Sequence, residues 1–213
     1  MNRTRIEWCD FTWNPVTGCY HGCDYCYARR IAHRFFPKTV GFNPHFWRDR
    51  LQEPLALKKP ARIFVCSMAD LFGDWVPREW IEAVMETVRA CPRHTFHFLT
   101  KNPKRLPWFN PWPPNAWAGA TATDQEMMDE AVNKLRLVEG ARKYISCEPM
   151  LAPVILPENA GIDWLLVGAL TGAKKGQPSP AWVESLVDSS KDQSVPVFVK
   201  NNLKGFQLQE WPA

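Results

Sequence analysis

A chain of 213 residues, 46% hydrophobic and 23% charged, is long enough for one α/β domain with a sizeable core. A formal net charge of +4 falls short of a dedicated nucleic-acid binder but suits an anionic substrate. The longest apolar run, "WLLVGAL", is far below membrane-spanning length, the N-terminus has no apolar signal stretch, and the odd count of seven Cys argues against a disulfide scaffold, so a cytoplasmic protein with no membrane partner is expected.

In chain order, "FTWNPVTG" (11–18) reads as a first strand of aromatic and β-branched residues ending at Gly18. The loop that follows, within 18–27, carries Cys19, Cys23 and Cys26, and "YARRIAHRF" reads as the helix behind it. Residues 35–61 show no clear strand. Further strands are predicted at "RIFVCS" (62–67), "TFHFLT" (95–100), "WAGATAT" (117–123), "KYISCE" (143–148), "DWLLVGA" (163–169) and "PVFVK" (196–200). Several are almost continuously apolar, as in a parallel sheet covered on both faces.

The helices between them carry their own signals. "PREWIEAVMETVRACP" places Pro77 at a first helical position and aligns Trp80, Ile81, Val84, Met85 and Val88 on one face. "TDQEMMDEAVNKLRLVEG" opens on Thr123 and Glu126 as a capping box and stops at Gly140. "SPAWVESLVDSS" starts with Ser179 as N-cap and Pro180 behind it. This β-then-α order predicts parallel strands joined by crossovers. The stretch 101–116, "KNPKRLPWFNPWPPNA", has five prolines and little room for a full helix. Together with 35–61 it is a candidate lid or substrate loop, with plain surface packing as the alternative.

Three cysteines at spacing C-x3-C-x2-C, on a loop after a strand, fall where parallel β/α folds place their chemistry. A structural zinc site wants four ligands, which His21 or His33 could complete. A [4Fe-4S] cluster with three protein thiolates would leave one iron open to bind a small molecule. Metal-free packing of three neighbouring thiols is the remaining alternative.

Cys19-x3-Cys23-x-Tyr25-Cys26 resembles the signature of the radical S-adenosylmethionine superfamily. Long strings elsewhere, such as "VCSMADLFGDWVP" (65–77), "FHFLTKNPKR" (96–105) and "ISCEPML" (145–151), resemble a phage- and prokaryote-associated radical-SAM-like family of poorly defined function, distantly similar to photoproduct lyases. The resemblance implies a single domain over 1–213, folded as a partial (β/α) barrel of six to seven parallel strands with the cluster at its C-terminal mouth. It implies a [4Fe-4S] cluster on Cys19, Cys23 and Cys26, whose open iron chelates S-adenosylmethionine. Reductive cleavage then yields a 5′-deoxyadenosyl radical that takes hydrogen from a substrate. Tyr25 would pack near the adenine. Relatives often carry Gly-Gly-Glu where this chain reads Gly168-Ala169-Leu170, so one polar ligand contact is missing.

Strand ends supply the other candidates. Ser67, Met68 and Asp70 occupy the place where radical SAM proteins bind the methionyl amino group, often through carbonyls; the structural alternative is that they cap the next turn. Thr100 and Lys101 end one strand, and Lys101 could meet the cosubstrate carboxylate or an anionic substrate. Thr121 is a candidate ribose or carboxylate contact. Glu148 is a candidate for ribose, substrate or proton transfer, with Lys200 as an ion-pair or phosphate partner. Cys147, beside Glu148, is a candidate hydrogen-atom donor, although a free Cys is more often simply packed. The implied partners are an electron donor of flavodoxin or ferredoxin type, a nucleic acid or nucleotide substrate, and a partner protein that adds specificity. The Trp-rich 101–117 stretch would permit base stacking. The competing class is a zinc-stabilised or cluster-containing binding or sensor module without catalysis.

Overall fold

Alternate residues of each central strand point to opposite faces, and here both faces are dry. One parity, including Ile63, Val65, Phe96, Phe98, Ile145, Leu165 and Val197, packs with helix residues such as Ile81, Val84, Met128, Val132 and Leu186. The other parity, including Phe64, Tyr144, Trp164, Leu166 and Phe198, gathers in a second, aromatic cluster with Trp8, Leu99 and Trp117. A strand that buries both faces belongs inside a helix-covered parallel sheet. The computed structural model, which describes residues 1–35, 41–171 and 176–213, has that architecture.

Its elements in order are β1 (Asn2–Arg3), β2 (Phe11–Trp13), β3 (Val16–Thr17), α1 (Tyr27–Phe35), β4 (His45–Phe46), β5 (Arg62–Val65), α2 (Arg78–Ala90), β6 (Thr95–Thr100), β7 (Ala116–Thr121), α3 (Gln125–Leu135), β8 (Arg142–Cys147), β9 (Trp164–Val167), α4 (Pro180–Lys191) and β10 (Val197–Val199). Eight strands form one sheet in the order β1-β2-β5-β6-β7-β8-β9-β10. The seven from β2 to β10 run parallel, and β1 adds an antiparallel edge. The backbone N–H of Asn201, past β10, donates to Glu7, between β1 and β2, at 2.8 Å. The two edges therefore meet, and the sheet curls into an open barrel. Among the described residues no helix is long and apolar enough to cross a membrane.

The strand expected over 11–18 is split. Phe11–Trp13 pair with β5, but Val16–Thr17 leave the sheet and pair with β4 in a two-stranded ribbon. Pro15 has no N–H to continue a ladder, and its carbonyl instead accepts from Trp47 N at 2.8 Å. The 35–61 stretch, read as strandless, thus holds β4 and a 3-10 turn over Arg48–Gln52; its part at 36–40 lies outside the described residues. Helix starts differ by one residue. Pro77 precedes α2 as its N-cap. Asp124, not Thr123, caps α3 by accepting from Met127 N at 2.9 Å. Ser179 sits at the cap of α4 without a side-chain bond.

The proline-rich 101–116 stretch folds as a 3-10 helix over Pro103–Phe109 that buries Arg105, Leu106 and Phe109. Trp112 stacks on Phe72 at 5.6 Å and donates to the carbonyl of Leu106 at 3.1 Å. Trp117 lies inside the barrel against His97 and Trp164. Of the aromatic rings in this stretch only Trp108 is exposed, so the aromatic platform expected there is mostly core.

The floor of the barrel is an aromatic plug. Trp8, between β1 and β2, packs on Phe64, His97 and Tyr144, with ring centroids 4.8, 5.5 and 6.3 Å away. Tyr144 fits because Gly119 faces it: a Cβ there would sit 2.3 Å from the ring. His97 is buried within this plug, and burial holds its pKa down from 6.5 to about 3. The unfolded chain takes a proton on that ring below pH 6.5 and the folded chain refuses it, so stability is complete above pH 6.5 and falls as the pH drops towards 3. At roughly 1.4 kcal/mol per pH unit, the ring should cost about 2 kcal/mol between pH 7 and pH 5. Urea unfolding at both pH values should show His97→Phe losing about that much less stability than wild type; equal losses would contradict the assignment.

Candidate active site

Past the plug, at the C-terminal ends of the strands, the barrel opens into a cavity of about 910 Å³. The strand parity that points aromatics into the floor brings Lys101, Thr121, Glu148 and Lys200 into this space two or four residues later. Asn14 after β2 and Ser67, Met68 and Asp70 after β5 complete that wall, and Cys19, Cys23, Tyr25 and Cys26 form another side.

The cysteine loop is held by backbone. Gly18 adopts φ +91°, and a Cβ on it would lie 2.1 Å from the Asn43 carbonyl oxygen, so glycine is required. Gly18 N donates to Met68 O at 2.9 Å and Cys19 N to Phe42 O at 3.2 Å. Cys26 Sγ accepts from Arg29 N, in the first turn of α1, at 3.3 Å. All three thiols are free and half-buried. Burial pushes the Cys19 thiol up to about 11. Burial and the neighbouring Cys23 also raise the Tyr25 hydroxyl. The Lys101 ammonium lies 5.4 Å from the centre of the Tyr25 ring. Burial lowers the Lys101 pKa, while the facing thiols and Asp70 oppose that shift.

Asp70 is almost fully buried and was expected to face a ligand. Its Oδ1 accepts from Thr100 Oγ1 at 2.6 Å and Phe72 N at 3.1 Å. Its Oδ2 accepts from His21 Nε2 at 2.6 Å and Lys101 N at 2.8 Å. The turn-capping alternative is thus met through Phe72, and Thr100 is spent on Asp70. Ser67 and Met68 are similarly engaged. Ser67 O accepts from Tyr27 Oη at 2.8 Å, Met68 O from Gly18 N, and Asn14 Oδ1 accepts from Met68 N at 2.8 Å and Ser67 Oγ at 3.3 Å. Asn14 and His21 are organising residues that strand patterns do not expose, because each acts on residues about 50 positions away.

Glu148 and Lys200 pair at 2.5 Å, both half-buried, as the sequence suggested. Gly168 makes room for the pair: a Cβ there would stand 2.9 Å from Glu148 Cγ and 3.0 Å from Cδ. Cys147 is placed differently from the expectation. It has the opposite parity from Glu148, is fully buried in the helix-side core and is absent from the cavity wall. Desolvation pushes its thiol up to about 12, so packing, not donation into the cavity, is its observed setting. Cys66, at φ 57°, does reach the wall.

The donor set at Cys19, Cys23 and Cys26 suits a thiophilic metal centre. Among the described residues no three His, Cys, Asp or Glu side chains converge closely enough to hold a single metal ion. In an iron–sulfur cluster each thiolate binds a different iron.

The protein is thus an α/β barrel with three cysteines lining the cavity at its mouth. The chain belongs to the family described as a protein of unknown function, DUF5131, whose model matches residues 3–208. No curated protein sequence matches it. Among solved structures it is similar to spore photoproduct lyase complexed with dinucleoside spore photoproduct, with a TM-score of 0.52 and 10% identity over 89% of this chain and 63% of that one. A doubly substituted lyase with bound AdoMet and dinucleoside spore photoproduct gives a TM-score of 0.52 and 12% identity over 83% and 59%. The chain therefore spans less than two thirds of those lyases. The shared property is the fold, that of spore photoproduct lyase.

Gly168→Ala should force Glu148 off Lys200. Overpacking of this kind costs about 1–3 kcal/mol, or a fall of roughly 2–10 °C in Tm for a chain of this size. The freed Lys200 ammonium should also react faster with an acylating reagent, as read by peptide mass spectrometry. Unchanged Tm and labelling would show that the pair does not depend on Gly168.

Proposed function

We propose that the protein is a radical S-adenosylmethionine enzyme. The observation that carries this reading is the loop of three free cysteines opening into the cavity at the mouth of a barrel whose fold matches a radical S-adenosylmethionine lyase. Cys19, Cys23 and Cys26 would hold a [4Fe-4S] cluster. Bound there with S-adenosylmethionine, the cluster supplies one-electron cleavage of the sulfonium and a radical able to take hydrogen from a substrate.

The chain's own groups then bind and orient. Lys101 presents a positive charge for the cosubstrate carboxylate, and Tyr25, under that charge, offers its ring to the adenine. Thr121 offers a hydroxyl for the ribose. Ser67 and Met68 present backbone next to the cysteine loop. Glu148 presents its carboxyl group to the cavity, held in place by Lys200 at 2.5 Å. An external one-electron donor of flavodoxin or ferredoxin type and a cytoplasmic setting belong to the same proposal.

A nucleic acid or nucleotide is the proposed substrate. On α1, Tyr27, Ile31 and Phe35 line the cavity while remaining exposed, and the Arg34 guanidinium lies 5.2 Å from the Phe35 ring. Exposed rings beside cations suit stacked bases and their phosphates, and the dinucleoside ligand of the structurally similar lyase is of the same class.

Anaerobic reconstitution should yield about four irons per chain and, with dithionite and S-adenosylmethionine, 5′-deoxyadenosine; Cys23→Ala should abolish both. Zinc without iron would replace the proposal with a binding module, and iron without cleavage would leave a sensor. In fluorescence titrations with a labelled single-stranded oligonucleotide, Phe35→Ala should weaken binding about tenfold, one stacking contact's worth. No binding by wild type would exclude that substrate class at this rim.

A further inference from the structure

The four contacts to Asp70 come from three separate strand ends. Asp70 itself follows β5, Thr100 and Lys101 end β6, and His21 lies in the cysteine loop after β2 and β3. A carboxylate offers about four lone-pair sites, and here all four are filled by protein donors, two on each oxygen. No capacity is left for a ligand. Thr100 is fixed in turn, since its Oγ1 accepts from Asn102 N at 2.9 Å while donating to Asp70. A carboxylate only accepts, so His21 must donate from Nε2.

Around this hub the loop has two more ties to the same strand ends. Gly18, at its base, forms a parallel bridge with Ala69. Tyr25, between Cys23 and Cys26, lies under the Lys101 ammonium, whose backbone N–H is one of the donors to Asp70. The loop is thus gripped at its base, at His21 and at Tyr25, and two of the three grips run through Asp70 or the residue bonded to it.

We propose that Asp70 is a latch that sets the cysteine loop in its metal-receiving shape before any cofactor binds, with His21 as the catch on the loop. Both are positioning residues. The consequence for a cluster rests on the function proposed above, but the latch itself is a property of the metal-free chain. Preorganised thiols lose less freedom on binding, so the latch should speed loading and slow loss of metal.

The test is hydrogen–deuterium exchange of the metal-free protein, read by mass spectrometry on peptides covering 18–27. Wild type should protect this loop. Asp70→Asn puts an NH2 group in front of at least one N–H or O–H donor, and His21→Ala removes the catch; each should speed exchange of the loop about tenfold, the worth of one hydrogen bond to a charged group. Exchange across Thr95–Thr100 should stay unchanged in His21→Ala. His21→Gln, which keeps a side-chain N–H donor, should restore most of the protection, and reconstituted His21→Ala should lose iron faster on gel filtration. If Asp70→Asn does not fold, the His21 pair decides alone. A wild-type loop that exchanges at unstructured rates, or a His21→Ala loop as protected as wild type, would overturn the latch. Loop protection that depends on His21 in a protein that never takes up iron would keep the latch and remove the cluster chemistry instead.

Discussion

Every central strand of this protein has to bury two faces at once, and the rest of the structure follows from how it does so. One parity goes under the helices as an aliphatic layer. The other goes into the barrel, where large rings fill the lower half. Filling stops where the rings stop. Beyond Phe64, His97, Trp117, Tyr144, Trp164 and Phe198 the same parity carries Lys101, Thr121, Glu148 and Lys200, and the barrel becomes a cavity. Floor and site are two ends of one register.

That register also sorts neighbouring residues by role. Cys147 and Glu148 are adjacent in sequence, yet one is sealed against α-helical side chains and the other faces the cavity next to Lys200. A pleated strand leaves no intermediate choice. Glycines refine the result where side chains would collide: Gly119 admits the Tyr144 ring, Gly168 admits Glu148, and Gly18 lets the cysteine loop pass Asn43.

Much of the fold was legible because its strands are short, apolar and regularly separated by helices with clear ends. The six expected strands after residue 60 all exist, and α1 spans the nine residues read as a helix. The three-cysteine loop could be read from spacing alone, because its cysteines lie within eight residues of one another. What escaped was non-local. Pro15 ends a strand that looked continuous, because ladder pairing needs an N–H that periodicity does not report. The tryptophans at 112 and 117 looked like a surface platform, but composition does not say which face a ring takes.

The sequence by itself determined the class of fold, the cysteine loop and the set of polar residues at strand ends. These are encoded locally, in hydrophobic runs, caps and spacing. Only the tertiary structure decided which of those polar residues remain free. Asp70 looked like a ligand contact until four donors from three strand ends were seen to fill its oxygens, whereas Lys101, Thr121 and the Glu148–Lys200 pair keep a face in the cavity. The reason is that hydrogen-bond capacity is spent between residues 30 to 50 positions apart, and such pairings exist only once the strands stand side by side.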